Sequence, residues 1–280
     1  MRARLSDASV RVRHPGPMTS ALRDRTAVPL LRPLNRVPQV TALFWVVKVL
    51  TTGMGETTSD FFVKRFPPEI VVPIAFVLLV VLLAVQFRVK RYIAAVYWTT
   101  ALAVSIFGTM AADVLHVGLG VPYVASTAAF ALVLAAIFVA WHRTERTLSV
   151  HSIVTRRREV FYWATVLTTF ALGTAAGDWT AMSLGLGYLA SGVLFAVVIA
   201  VPAVAFRWFR LNAVLAFWFA YVVTRPLGAS FADWFAVPAA RGGLNLGTGP
   251  VSAIAFIMFA ALVAVLSVTH RDVEAAPVEA

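Results

Sequence analysis

The chain has 280 residues, 60% of them hydrophobic and 13% charged, with a formal net charge of +11 and a mean hydropathy of +0.82. A soluble domain of this size carries about a quarter charged residues, so folding in water is excluded and a polytopic membrane protein is expected. The absence of cysteine excludes disulfides, thiolate metal sites and cysteine nucleophiles.

In chain order, residues 1–36 come first. They hold Arg2, Arg4, Arg11, Arg13, Arg23, Arg25, Arg32 and Arg36 among Pro15, Pro17, Pro29 and Pro33, with no apolar run of signal-peptide length. This predicts a disordered, basic cytoplasmic tail. It reads as a topology signal first and as a contact for anionic lipid second.

Apolar runs long enough to span a bilayer, about 20 residues, follow at roughly 40–62, 68–87, 92–115, 121–141, 159–180, 184–206, 211–235 and 249–268. Basic residues sort between them. One side receives the tail, Arg88, Lys90, Arg91, Arg143, Arg146, Arg156, Arg157, Arg158, Arg207, Arg210 and Arg271; the other receives Lys64, Arg65 and Arg241. The positive-inside rule puts both termini in the cytoplasm, and the charge is explained without nucleic acid.

The odd spans repeat one another. Trp45, Gly55 and Asp60 recur as Trp98, Gly108 and Asp113, as Trp163, Gly173 and Asp178, and as Trp218, Gly228 and Asp233. An aromatic precedes each Trp: Phe44, Tyr97, Tyr162, Phe217. The expected fold is therefore all-α, eight transmembrane helices built as four parallel two-helix repeats. Repeat bounds fall at about 37–88, 89–142, 152–207 and 208–270, in one membrane domain over 37–270, with a C-terminal cytoplasmic tail at 271–280.

On these residues the chain resembles a bacterial membrane-anchored family of unknown function, built from four tandem repeats that each carry two transmembrane segments and a tryptophan. The resemblance covers about residues 36–270. It implies an integral protein of a bacterial plasma membrane and supplies no substrate or reaction.

Counted back from each Asp, positions four and eight residues earlier share its helix face. They read Glu56 and Thr52, Thr109 and Ser105, Thr174 and Phe170, Ala229 and Arg225. The even spans carry no such stripe, so the odd helices should line the interior and the even ones should face lipid. Gly55, Gly108, Gly173 and Gly228 read as close helix-packing positions. Trp45, Trp98, Trp163 and Trp218 read as packing residues, with gating as the rival role.

Asp60, Asp113, Asp178, Asp233 and Glu56 are the expected substrate or cation ligands, because ionisable groups inside a membrane are functional candidates. Lys48 and Arg225 are their charge partners. Arg225 is expected to meet Glu56 or Asp60 of the first repeat, and Lys48 to snorkel to the inner interface. The favoured function is transport of a cation or small cationic solute. The alternative is a scaffold or sensor in which the stripes only pack helices. Nothing points to an enzyme or a cofactor. His14, His116, His142, His151 and His270 fall in tails and loops without ligand spacing, and His116 reads as a solvated loop residue. The expected partners are the lipid bilayer and the solute; metal identity and oligomeric state are left open.

Overall fold

A computed structural model describes residues 35–273. The disorder expected of the N-terminal tail falls on residues up to 34, which lie outside the described residues, as do residues 274–280. The described residues form helices α1 (Ala42–Arg65), α2 (Pro68–Arg88), α3 (Ala94–Asp113), α4 (Tyr123–Glu145), α5 (Arg156–Asp178), α6 (Gly187–Phe209), α7 (Ala213–Ala236) and α8 (Thr248–Thr269), with no strand among them. A π-helical turn extends α3 through Val114–Gly118, and another extends α5 through Trp179–Ser183.

Local chemistry sets the helix starts. The Thr41 side chain accepts from the Phe44 amide at 3.2 Å, Thr155 from Arg158 at 3.3 Å, and Asn212 from Val214 at 2.9 Å. Each satisfies an amide that the first turn leaves unpaired. Pro68 opens α2, where a missing N–H costs nothing.

The odd helices form a closed ring: α1 packs on α3, α3 on α5, α5 on α7, and α7 on α1. The even helices lie outside it, each against the odd helix of the following repeat. α2 packs on α3, α4 on α5, α6 on α7, and α8 closes the circle on α1. A hairpin is thus buried mainly by its neighbour; α1 and α2 touch little. Over their most apolar stretches α3, α5 and α7 are 50–67% buried, whereas the even helices are 11–17% buried.

Among the described residues seven helices, all but α1, are long and apolar enough to cross a membrane. With lipid-compatible faces such as Ile70, Ile74, Val77 and Val81 on α2 exposed, the chain is a multi-pass helical membrane protein. α1 is equally long but carries Lys48, Glu56, Asp60 and a run of threonines. Its contacts with α3, α7 and α8 enclose much of that polarity.

The repeated glycines sit where adjacent odd helices cross. A Cβ on Gly55 would strike the Ser105 side chain. One on Gly108 would lie 2.7 Å from the Phe170 Cβ, one on Gly173 would strike Arg225, and one on Gly228 would strike the Thr52 hydroxyl. The contact in each repeat is with the next helix of the ring. Gly108→Ala is therefore expected to lose about 1–3 kcal/mol through forced displacement of α5. Gly177→Ala, whose new atom meets Pro226 at an ordinary 3.8 Å, should be neutral or gain up to about 1 kcal/mol of helix propensity. Thermal melting of the two variants in one detergent makes the comparison.

The segments just before α1 and just after α8 meet at the N-terminal end of the ring. Asn35 Nδ2 donates to the Val150 carbonyl at 3.0 Å, and the Gln39 amide to the Asp272 carbonyl at 2.9 Å. Arg36 pairs with the fully buried Glu159 at 2.6 Å, and Gln86 donates to the same carboxylate at 2.9 Å. Tyr92 donates to buried Asp272; burial and that carboxylate push the Tyr92 phenol well above its usual range, so it stays a donor. Asn35, Arg36 and Asp272, which the sequence places in tails, are docked instead, whereas Arg271 is exposed. Buried Glu159 and Asp272 need partners, and these segments supply or receive them.

Candidate functional site

The interior of the ring is layered along its axis. The first layer, near the helix N-termini, is an aromatic girdle. Phe44 packs on Trp98 at a centroid distance of 5.7 Å, Tyr97 on Trp163 at 5.4 Å, Tyr162 on Trp218 at 6.1 Å, and Phe217 on Trp45 at 5.7 Å. Each aromatic–Trp pair therefore hands on to the next repeat until the circle closes. The hydroxyls of Tyr97 and Tyr162 are bonded to each other. Trp98, Trp163 and Trp218 are buried; Trp45 is half-buried and also borders an apolar crevice of about 440 Å³ between α1, α6 and α7. That crevice has no charged lining residue and lies off the axis.

Lys48 forms the second layer. It is 2% exposed, with its ammonium 3.9 Å from the Phe170 ring centroid and 4.1 Å from that of Tyr221. Its Nζ has no hydrogen-bond partner among the described residues. Lys48 thus does not snorkel: the aromatic girdle blocks the way to the interface, and the ring faces hold the cation instead.

Arg225 and Glu56 form the third layer. The two N–H groups of Arg225 Nη2 are shared among Glu56 Oε2 at 2.6 Å, Thr174 Oγ1 at 2.8 Å and the Thr109 hydroxyl, while Nη1 donates to the Thr52 carbonyl at 3.1 Å. One guanidinium therefore ties all four odd helices. Hydroxyls complete the layer: Ser105 donates to the Thr51 carbonyl at 3.1 Å.

The acids form the fourth layer, at the helix C-termini. Asp60 pairs with Lys64 of its own helix at 2.5 Å. Asp113 and Asp178 converge with His116: a carboxylate oxygen from each and one ring nitrogen all lie within 4.8 Å of one another. Asp233 is buried nearby, within the field of Asp60, Asp178 and Glu56. So the structure draws two of the four aspartates into one cluster and leaves the other two beside it. The sequence places His116 in a solvated loop, and the structure differs. His116 is 8% exposed, bonded through Nε2 to Ser126 Oγ at 2.6 Å, with its ring 4.5 Å from that of Tyr123. The π turn after Asp113 makes the difference by carrying His116 back under α4.

Four copies of one repeat model match the chain, over residues 43–92, 96–147, 161–212 and 216–272. They take in most of the membrane domain. The chain belongs to the family described as a Repeat of Unknown Function (DUF347). Each DUF347 repeat covers most or all of one odd helix and the even helix that follows. No curated protein and no solved structure matches the chain. The ionisable groups at Lys48, Glu56 and Arg225 are not repeated between the DUF347 copies, so they break the four-fold repetition of the interior.

Proposed function

We propose that the protein is a transporter or permease for a cation or a small cationic solute, using the interior of the odd-helix ring as its path. The observation that carries this reading is the file of ionisable groups along one axis: Lys48, then Arg225 with Glu56, then the aspartates. Charges inside membrane-spanning helices are costly and mark solute or proton paths. The file is acidic on balance, which favours a cation.

In this reading all eight helices cross the membrane, and the four repeats run parallel. Both termini lie in the cytoplasm of a bacterial cell, where the Arg-rich loops collect. The acidic layer then faces outward as the mouth, and the aromatic girdle closes the inner end. A cation reaching Glu56 competes with Arg225 for the carboxylate. Freed, Arg225 loosens its hold on Thr52, Thr109 and Thr174, and with it the tie between four helices. Neither a metal nor an organic cofactor is needed for that exchange.

A scaffold or sensor role is the competing reading. It is favoured by the interhelical hydroxyl bonds, which help hold neighbouring helices together without any transport role. Uptake by proteoliposomes across a panel of Na⁺, K⁺, Mg²⁺, Mn²⁺, Zn²⁺ and choline separates the two. Transport predicts uptake of at least one cation, reduced at least about tenfold in Asp113→Asn, the loss of about 1.4 kcal/mol of interaction. A folded protein that moves none of them supports the scaffold.

A further inference from the structure

His116 is held on one edge of its ring by Ser126, and that contact bears on its tautomer. Ser126 Oγ has one proton, and it lies 3.0 Å from the Tyr123 carbonyl, which is an acceptor only. With the serine proton given to that carbonyl, the 2.6 Å contact to His116 Nε2 needs the proton on the imidazole. The lone pair is then on Nδ1. Nδ1 is buried and has no hydrogen-bond partner among the described residues. The Asp113 and Asp178 carboxylates stand beside the ring.

Two carboxylates and a histidine ring with one unpartnered nitrogen are thus gathered in one cluster. The nearby cations are engaged elsewhere: Lys64 with Asp60, Arg225 with Glu56, and Arg241 with the Tyr188 hydroxyl at 2.7 Å. Left alone, the arrangement is repulsive; a metal ion turns it into a site. A ligating histidine usually donates its other ring N–H to a fixed acceptor that orients it, and in this tautomer Ser126 is that acceptor. A bond length of about 2.1 Å puts adjacent donors about 3 Å apart, so atoms that lie within 4.8 Å of one another need to draw in by at most about 2 Å. Rotation of two half-buried aspartates supplies that movement.

We propose that Asp113, Asp178 and His116 Nδ1 bind one divalent transition-metal ion of the Mn²⁺, Fe²⁺, Co²⁺, Zn²⁺ class, with water at the remaining positions. Two carboxylates alone suit Mg²⁺ and Ca²⁺ equally; the imidazole is what favours the transition metals. As the capture site of a transport path, this narrows the solute class and rests on the transport reading. As a binding site it does not.

The test is titration of the purified, chelator-stripped full chain with Co²⁺, followed by its visible absorption, and with Mn²⁺, followed by electron paramagnetic resonance. One ion per chain is expected, undisplaced by a hundredfold excess (about two decades of competition) of Mg²⁺ or Ca²⁺. His116→Gln keeps a donor for Ser126, and Asp178→Asn keeps the side-chain shape. Both should weaken binding about tenfold or more, and Ser126→Ala about tenfold through loss of the orienting bond. The wild-type melting temperature should rise with Co²⁺, and that of His116→Gln should not. No Co²⁺ binding by folded wild type, ready displacement by Mg²⁺, or wild-type affinity in His116→Gln overturns the site. Co²⁺ binding without Mn²⁺ uptake by proteoliposomes leaves the site standing and removes the transport reading. Cation uptake in a protein whose His116→Gln variant binds Co²⁺ normally does the reverse.

Discussion

Arg225→Met is expected to cost about 3–5 kcal/mol, the usual penalty for leaving one member of a buried ion pair behind. Arg225 is fully buried, and its guanidinium is the only charged partner of Glu56 within hydrogen-bonding distance among the described residues. Without it the carboxylate keeps Thr109 alone, at 3.4 Å. The same change removes the donor that joins Thr52, Thr109 and Thr174. Size-exclusion behaviour and melting in detergent give the readout. Adding Glu56→Gln should recover part of the loss, because no lone charge then remains. The swap of Arg225→Glu with Glu56→Arg should recover part of it too. If both doubles are worse than Arg225→Met, the pair does not hold the ring.

Trp98→Ala should cost about 3–5 kcal/mol, the range for large-to-small changes at buried tryptophans. Trp98 is fully enclosed between Phe44 and Tyr97, at centroid distances of 5.7 and 5.1 Å. Trp45 occupies the equivalent place in the first repeat but is half-buried. Trp45→Ala should therefore lose no more than about half as much, since less area leaves water or lipid. Equal melting losses at the two positions would mean that the girdle acts as one unit whatever the burial of its members. A Trp98→Ala protein with unchanged melting and altered cation uptake would make the tryptophan a gate.

The ring of odd helices was legible in the sequence because polarity is confined to one face of each. Trp98, Gly108, Asp113 and their counterparts also recur at one spacing. Depth along the helix was enough to bring Arg225 level with Glu56. The packing of α2 on α3 and of α8 on α1 was not legible. The even helices are apolar all round, and such a helix carries no mark of which neighbour it covers. Nor could the unequal fates of the aspartates be read. Asp60 pairs with Lys64 four residues on, whereas Asp113 and Asp178 meet at His116. Both facts depend on how the chain leaves each helix, and the π turns after α3 and α5 have no sequence signature of their own. Ser126, three residues into α4 behind Pro122, was a signal that His116 had a fixed partner within reach. Glu159 was hidden among Arg156, Arg157 and Arg158, a cluster that reads as a topology signal. Its burial becomes visible only when Arg36 and Gln86 are placed around it.

Whether the interior is a path or only packing is tested most directly by thiol accessibility, and the absence of native cysteine makes a single introduced one unambiguous. Ala229 lies four residues before Asp233 on the same helix face, one turn beyond Arg225. In sealed vesicles, Ala229→Cys is expected to react with a membrane-impermeant cationic methanethiosulfonate applied on the acidic side, and Mn²⁺ on that side is expected to slow the reaction. A folded Ala229→Cys protein that stays unreactive from both sides would contradict the path and leave the polar stripes as helix packing.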